Sequence, residues 1–184
     1  SKSRYLIMKF FETSKYFSLK KSIYINLRWI AIIGQLITIN LIYFIFNFKF
    51  DLILENSIIL IGILSNLYLI YINKNTQLLD KTAFLFLLID ILQLSCLIYL
   101  TGGIANPFAI FLIIPTIFSS SNLGLKSNLL LASITILIII FLTFFNQPLP
   151  YPVSEHFHVD SYYYYSIPIS LIIALIFLNY FALI

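Results

Sequence analysis

The chain has 184 residues, 61% of them apolar and 10% charged, with a mean hydropathy of +1.00 and a formal net charge of +4. Soluble domains carry roughly 25% charged residues, so this composition excludes a cytosolic globular protein, a disordered chain and a nucleic-acid-binding module. The lone cysteine, Cys96, excludes an internal disulfide and a thiolate metal cluster.

Residues 1–28 form a basic segment. Lys2, Arg4, Lys9, Lys15, Lys20, Lys21 and Arg28 stand against one acid, Glu12, with Tyr5, Phe10, Phe11, Tyr16 and Phe17 between them. No small-residue cleavage site follows the first apolar run, so this is not a secretory signal. Two readings stand, an amphipathic segment on the inner membrane face and a solvated tail. Six apolar runs follow, at 29–46, 53–72, 83–100, 107–119, 128–145 and 162–184. Each is hydrophobic on all sides, which suits helices and not the alternating strands of an outer-membrane barrel. Backbone groups inside a bilayer must be satisfied within their own segment, which again requires helices. The expected fold is therefore all-α and polytopic, with six transmembrane helices over 29–184.

Lysine and arginine set the orientation. With the N-terminus inside, the basic tail, Lys74, Lys81 and Lys126 place ten of the eleven basic residues in the cytoplasm, and Lys49 alone lies outside. Asp51, Glu55, Glu155 and Asp160 fall on the outer side. Both termini are then cytoplasmic, and the positive charge serves topology and anionic lipid.

Few polar groups interrupt the spans. Asp90 lies roughly 10 Å from the inner end of the third run, and an intramembrane carboxylate is a functional hypothesis by default. Gln93, three residues on, shares its helix face, and Cys96 and Leu97 extend that face toward Tyr99 and Gly103. This is either a polar thread into the bundle or interhelical glue with Gln35, Asn40 or a serine as the partner of Asp90. His156, His158 and Asp160 alternate in the last outer loop, which reads as a solvated loop before a metal site. Pro148, Pro150 and Pro152 stiffen that loop, and Tyr162 to Tyr165 form an interfacial aromatic belt. Pro115 is expected to kink the fourth helix. No phosphate loop, nucleophile triad or metal-ligand cluster is apparent, and no span carries a haem-ligand histidine.

The connection between the third and fourth runs reads Gly102-Gly103-Ile104-Ala105-Asn106-Pro107-Phe108. Two glycines permit unusual backbone angles and close approach of another group. Asn106 is a good N-cap and Pro107 suits the first helical position, so the fourth helix is expected to begin there. Its first turn would offer unpaired N–H groups to a carbonyl or an anion, with Tyr99 and Phe108 flanking a planar ring. Such a donor-rich site would prefer a ring that only accepts hydrogen bonds over one that also donates them. The plain alternative is a tight interhelical turn.

This heptad resembles the GGxxNPF signature of the RegB/PrrB family of redox-sensing histidine kinases. Arg28-Trp29-Ile30-Ala31-Ile32-Ile33-Gly34-Gln35 resembles that family's RWxAxxGQ, and Asp90-Ile91-Leu92-Gln93-Leu94 with Thr101 and the glycines resembles its DxxQL…LTGG run. The resemblance implies a six-span sensor in the bacterial inner membrane that reads the ubiquinone pool, with Gly102, Gly103, Asn106, Pro107, Phe108 and Tyr99 at the quinone site and Asp90, Gln93 and Gln35 coupling it to the bundle. It also implies a homodimer, a cognate response regulator, a kinase beyond the last span that oxidised quinone lowers in activity, and a redox cysteine in the cytoplasmic part that Cys96 does not match. A membrane subunit of a quinone oxidoreductase and a small transporter are the competing readings.

Overall fold

The computed structural model describes residues 19–72, 76–151 and 159–183. The segment before residue 19, Lys74, Pro152, Glu155, His156 and His158 lie outside the described residues. Among the described residues six α-helices follow in order: α1 (Lys21–Phe44), α2 (Leu52–Ile72), α3 (Asp80–Leu100), α4 (Ile114–Asn122), α5 (Leu125–Phe144) and α6 (Ser161–Leu183). Two short strands, β1 (Leu19–Lys20) and β2 (Gln77–Leu78), pair antiparallel just before α1 and α3. They mark one end of the bundle, the strand end. The opposite end carries the Gly102–Phe108 connection and is called the loop end.

Five helices, α1, α2, α3, α5 and α6, are long and apolar enough to cross a bilayer among the described residues. The chain is thus an all-α polytopic membrane protein. Large apolar side chains cover its outside, as at Ile30, Ile53, Tyr71, Leu137 and Phe181, because lipid is their solvent. The fourth apolar segment has a different form from the expected α-helix. It runs as a 3₁₀ helix over Pro107–Ile113 and becomes α-helical only at Ile114. A 3₁₀ helix rises ~2.0 Å per residue and an α-helix ~1.5 Å. The Pro107–Asn122 limb therefore reaches about 27 Å, close to the ~30 Å hydrocarbon layer. Pro115 sits in the first turn of α4, where its missing N–H costs nothing. It sits where the limb changes from 3₁₀ to α.

Helices α4, α5 and α6 pack on one another, and α3 packs on α4 and α5. Buried amides and hydroxyls hold this half together. Asn128 and Asn179 exchange hydrogen bonds of 2.9 Å each way, Asn128 Nδ2 also reaches Ser119 Oγ at 2.7 Å, and the Thr116 and Thr135 hydroxyls meet at 2.7 Å. At the strand end, Asp80 joins the starts of α3 and α5. Its carboxylate accepts from Gly124 N at 2.6 Å and from the Ser127 hydroxyl. Helix α1 packs along α2 and reaches α3 through long polar side chains.

Helix α1 starts at Lys21, eight residues before the expected start at Trp29. Tyr24, Arg28 and Ile32 recur at helical spacing and are its buried residues. Arg28 therefore belongs to the bundle and not to the basic segment, and it is no topology determinant. Glu55, expected among the outer acids, is likewise buried in the first turn of α2.

Candidate functional site

The loop end is built by the heptad. Asn106 caps the 3₁₀ limb as expected, its Oδ1 accepting from Phe108 N at 2.9 Å. Its Nδ2 donates to Thr101 Oγ1 at 2.8 Å and to Thr101 O at 3.1 Å. Ala109 N bonds Asn106 O at 2.9 Å and Asn106 N bonds Gly103 O at 3.0 Å. These amides are engaged within the loop, which overturns the expectation of a free donor row in the first turn. The connection contains a short 3₁₀ turn, Gly103–Ala105, broken from the limb by extended Asn106.

The two glycines are needed, but for a protein neighbour. Gly102 and Gly103 adopt φ of 103° and 58°, in the left-handed region. A Cβ on Gly102 would stand 2.4 Å from Leu149 Cδ1 and 2.9 Å from its Cα. One on Gly103 would stand 2.4 Å from Asn146 Cβ and 2.7 Å from Leu142 O. The close approach they permit is that of the segment after α5. Tyr99 also serves this junction. Its carbonyl accepts from Gln147 N at 2.9 Å, and its ring stacks on Phe141 at 6.3 Å between centroids. Gly102, Gly103, Pro107 and Tyr99 thus shape the loop.

The remaining sequence-predicted residues come together elsewhere. A cavity of about 580 Å³ lies between α1 and the Pro107–Asn122 limb, with α3 as its floor. Gln35, Asp90, Gln93, Asn106 and Phe108 line it, and Gly102, Gly103, Pro107 and Tyr99 do not. Tyr24, Arg28, Thr38, Glu55 and Thr101 add further polar groups, and the rest of the wall is apolar, from Ile30, Ile39, Leu94, Leu97, Phe111 and Ile114 among others.

Polar groups are graded along this cavity. Toward the strand end, the Asp90 carboxylate holds a bidentate contact with Arg28, Nε to Oδ1 at 2.9 Å and Nη2 to Oδ1 at 2.7 Å, with Nε to Oδ2 at 3.2 Å. Tyr24 donates to its Oδ2 at 2.6 Å. Arg28 spends its other donors on Ser65 Oγ at 2.6 Å and Asn66 Oδ1 at 3.3 Å, both on α2. Its guanidinium also lies over the Phe86 ring at 5.3 Å. In the middle, Gln35 and Gln93 exchange amide hydrogen bonds of 3.3 and 2.8 Å. Gly62 lies 3.5 Å beneath that pair, measured from the Cβ it lacks. The partner of Asp90 is therefore Arg28, and neither Gln35 nor Asn40 as expected; Asn40 pairs with Asn56. Cys96 is exposed, so the polar thread runs Asp90–Gln93 and leaves the cysteine aside.

Sequence reasoning missed Arg28 and Glu55 as parts of this wall. The signal for Arg28 was present: it follows Tyr24 by four residues and precedes Gln35 by seven, one helical face. Glu55 is 1% exposed, and both its carboxyl oxygens lack a hydrogen-bond partner.

A membrane bundle with this limb, loop and polar seam defines a class, and comparison with known proteins gives it a family. The sequence model of the PilS-like transmembrane domain matches residues 21–182, and the chain belongs to that family. Among characterised proteins, the sensor histidine kinase RegB of Cereibacter sphaeroides is 28% identical over 156 residues, covering 84% of this chain and 34% of RegB. The expected likeness to the RegB/PrrB membrane domain is met, and the chain spans about a third of that relative's length. No solved structure matches.

Two outcomes follow from the geometry. Gly103→Ala, with no room against Asn146 and the wrong sign of φ, should lose at least about 2 kcal/mol of stability; thermal unfolding of the detergent-solubilised chain reads this. Arg28→Ala should cost about 3 kcal/mol by leaving the half-buried Asp90 in an apolar span without its cation, while Arg28→Met with Asp90→Leu should recover most of the loss. Equal unfolding of the single and double variants would contradict a paired role.

Proposed function

We propose that this domain is the membrane input part of a histidine kinase and that it binds a quinone, of the ubiquinone class, in the cavity between α1 and the limb. What carries the reading is the meeting of heptad and seam: Asn106 and Phe108 share one cavity with Gln35, Gln93 and Asp90. Its volume is that of a small-molecule site, which commonly spans ~300–1,000 Å³ and is mostly apolar with a few placed polar groups.

The chemistry suits a quinone. The ring and its tail are apolar, and the wall supplies apolar area. Phe108, stacked on Phe111 at 6.0 Å, offers a ring face for offset stacking. Each amide of the Gln35–Gln93 pair uses one N–H in the exchange and keeps a second for a ring carbonyl. A ligand wedged there separates α1 from the limb, or draws them together, according to its form. It can shift the bundle only by its difference in affinity for the two arrangements. Arg28–Asp90 carries that displacement from α1 to α3, and α3 packs on α4 and α5. The RegB relative, a sensor histidine kinase, supports a kinase beyond the last helix and with it a response regulator partner; the homodimer and the bacterial inner membrane rest on the motif resemblance alone. The oxidoreductase and transporter readings gain no observation from the cavity.

Binding of a short-tailed ubiquinone analogue to the chain in nanodiscs tests the site. Phe108→Ala should weaken binding about tenfold, and parent-like binding would move the site elsewhere. The basic bias also supports cytoplasmic termini, still nine to one without Arg28. A cysteine placed at exposed Lys126 should resist an impermeant thiol reagent in intact cells, and labelling from outside would reverse the orientation.

A further inference from the structure

The cavity between α1 and the limb is bounded at its floor and at both ends. Helix α3 forms the floor, and Asn106 and Phe108 stand at the loop end. At the strand end the Tyr24 ring stacks on Phe118 at 6.0 Å between centroids, beside the Arg28–Asp90 pair. The remaining side is open. Ile30, Ala31 and Gly34 on α1 and Phe111 and Ile114 on the limb line the cavity and are exposed, so this mouth faces lipid. Gly34 has no packing reason to be a glycine. A glycine in a membrane helix ordinarily lets a neighbouring helix come close, as at Gly62, where a Cβ would stand 3.5 Å from Gln93 Nε2 and 3.8 Å from Ile32 Cγ1. A Cβ on Gly34 would meet nothing within 4 Å. Its backbone is helical and not left-handed, so conformation does not require a glycine either. Glycine in a helix interior costs stability, and no protein atom gains from this one. The space left by the missing side chain belongs to the cavity mouth.

We propose that Gly34 is the crossing point of the ligand's isoprenoid tail: the ring lies between the Gln35–Gln93 pair and Phe108, and the tail leaves between α1 and the limb, over Gly34 and Ala31, into the bilayer. This rests on the quinone reading of the cavity and deepens it, since it makes the ligand one that carries a long apolar tail. A volume of about 580 Å³ holds a ring and the first units of such a tail, and the remainder has to leave. A path past Tyr24, Arg28 and Asp90 would set hydrocarbon against a buried ion pair and its hydrogen bonds. The open side instead offers exposed apolar side chains on both walls, Ile30 facing the limb's Phe111 and Ile114, with lipid beyond them. A side chain at position 34 would lean toward the N-terminus of α1, over Ala31 and Ile30 and away from Gln35. It would therefore obstruct the tail before the ring.

The test compares two probes on the full 184-residue chain in nanodiscs: the ubiquinone ring without a tail, and the same ring with a two-isoprene tail. Partition of each probe into lipid is the same for parent and variant and cancels in the ratio between them. Gly34→Leu should weaken binding of the tailed probe about tenfold or more, and of the tailless ring less than about threefold. Gly34→Ala adds a better helix former into open space and should unfold no earlier than the parent. It should weaken the tailed probe by a smaller factor in the same direction, so the comparison stands even if the leucine variant does not fold. Equal weakening of both probes, or of neither, overturns the tail path while leaving the cavity a quinone site. Loss of self-association in Gly34→Leu, with both probes bound as in the parent, also overturns it and assigns residue 34 to contact between copies. Failure of the parent to bind either probe overturns the quinone reading as well.

Discussion

Arg28 and Asp90 meet inside the apolar layer, 62 residues apart in sequence, and the placement of α1 depends on that contact. Neither charge is tolerable there alone. A lone arginine or aspartate at membrane depth costs several kcal/mol, so each requires the other, and the pair requires the further donors and acceptors that Tyr24, Ser65 and Asn66 supply. The result ties three helices at one point. Helix α1 packs along α2 and reaches α3 through the side chains of Tyr24, Arg28 and Gln35. Apolar packing between helices gives little preference for one register in lipid, which is as apolar as the side chains. The ion pair and the Gln35–Gln93 exchange supply the register, and they leave the space between α1 and the limb unfilled.

That space has a second cause at the other end of the bundle. The Pro107–Asn122 segment is too short to span the apolar layer as an α-helix, and its 3₁₀ turns lengthen and narrow it. A 3₁₀ helix presents its side chains in nearly eclipsed rows, so Phe108 and Phe111 stack on one side of the limb. Both line the cavity. Gly102 and Gly103 let the segment after α5 close over the loop, and Asn106 ends the loop with its own side chain. Loop and seam thus shape the two ends of one cavity, joined by α3, which carries Asp90 and Gln93 and runs on into the loop.

Much of this was legible in the sequence, and the gaps have physical reasons. Helix count, helical character and the cap at Asn106 follow from local chemistry: apolar runs of bilayer length, and an Asn-Pro pair that ends one backbone conformation and starts another. The relation of Asp90 to Gln93 is also local, being one helical turn. Arg28 was misplaced because a charge count treats every arginine as solvated, and only the distant Asp90 makes its burial possible. Glu55 was misplaced for the same reason, since an acid near a span end reads as a headgroup residue. The neighbour of the glycines was beyond reach, because positive φ tells that something comes close and not what it is. The 3₁₀ form of the limb leaves no mark in hydropathy.

The location of the ligand can be read chemically. A quinone analogue bearing a photoreactive azide on its ring, irradiated with the chain in nanodiscs and mapped by mass spectrometry, reports which side chains touch the ring. Labels should fall on the α1 face around Ile30–Gln35 and on Phe108 to Ile114, and unlabelled quinone should compete them away. Labels confined to residues 146–151, beside Gly102 and Gly103, or labels that excess quinone does not reduce, would contradict a ligand between α1 and the limb.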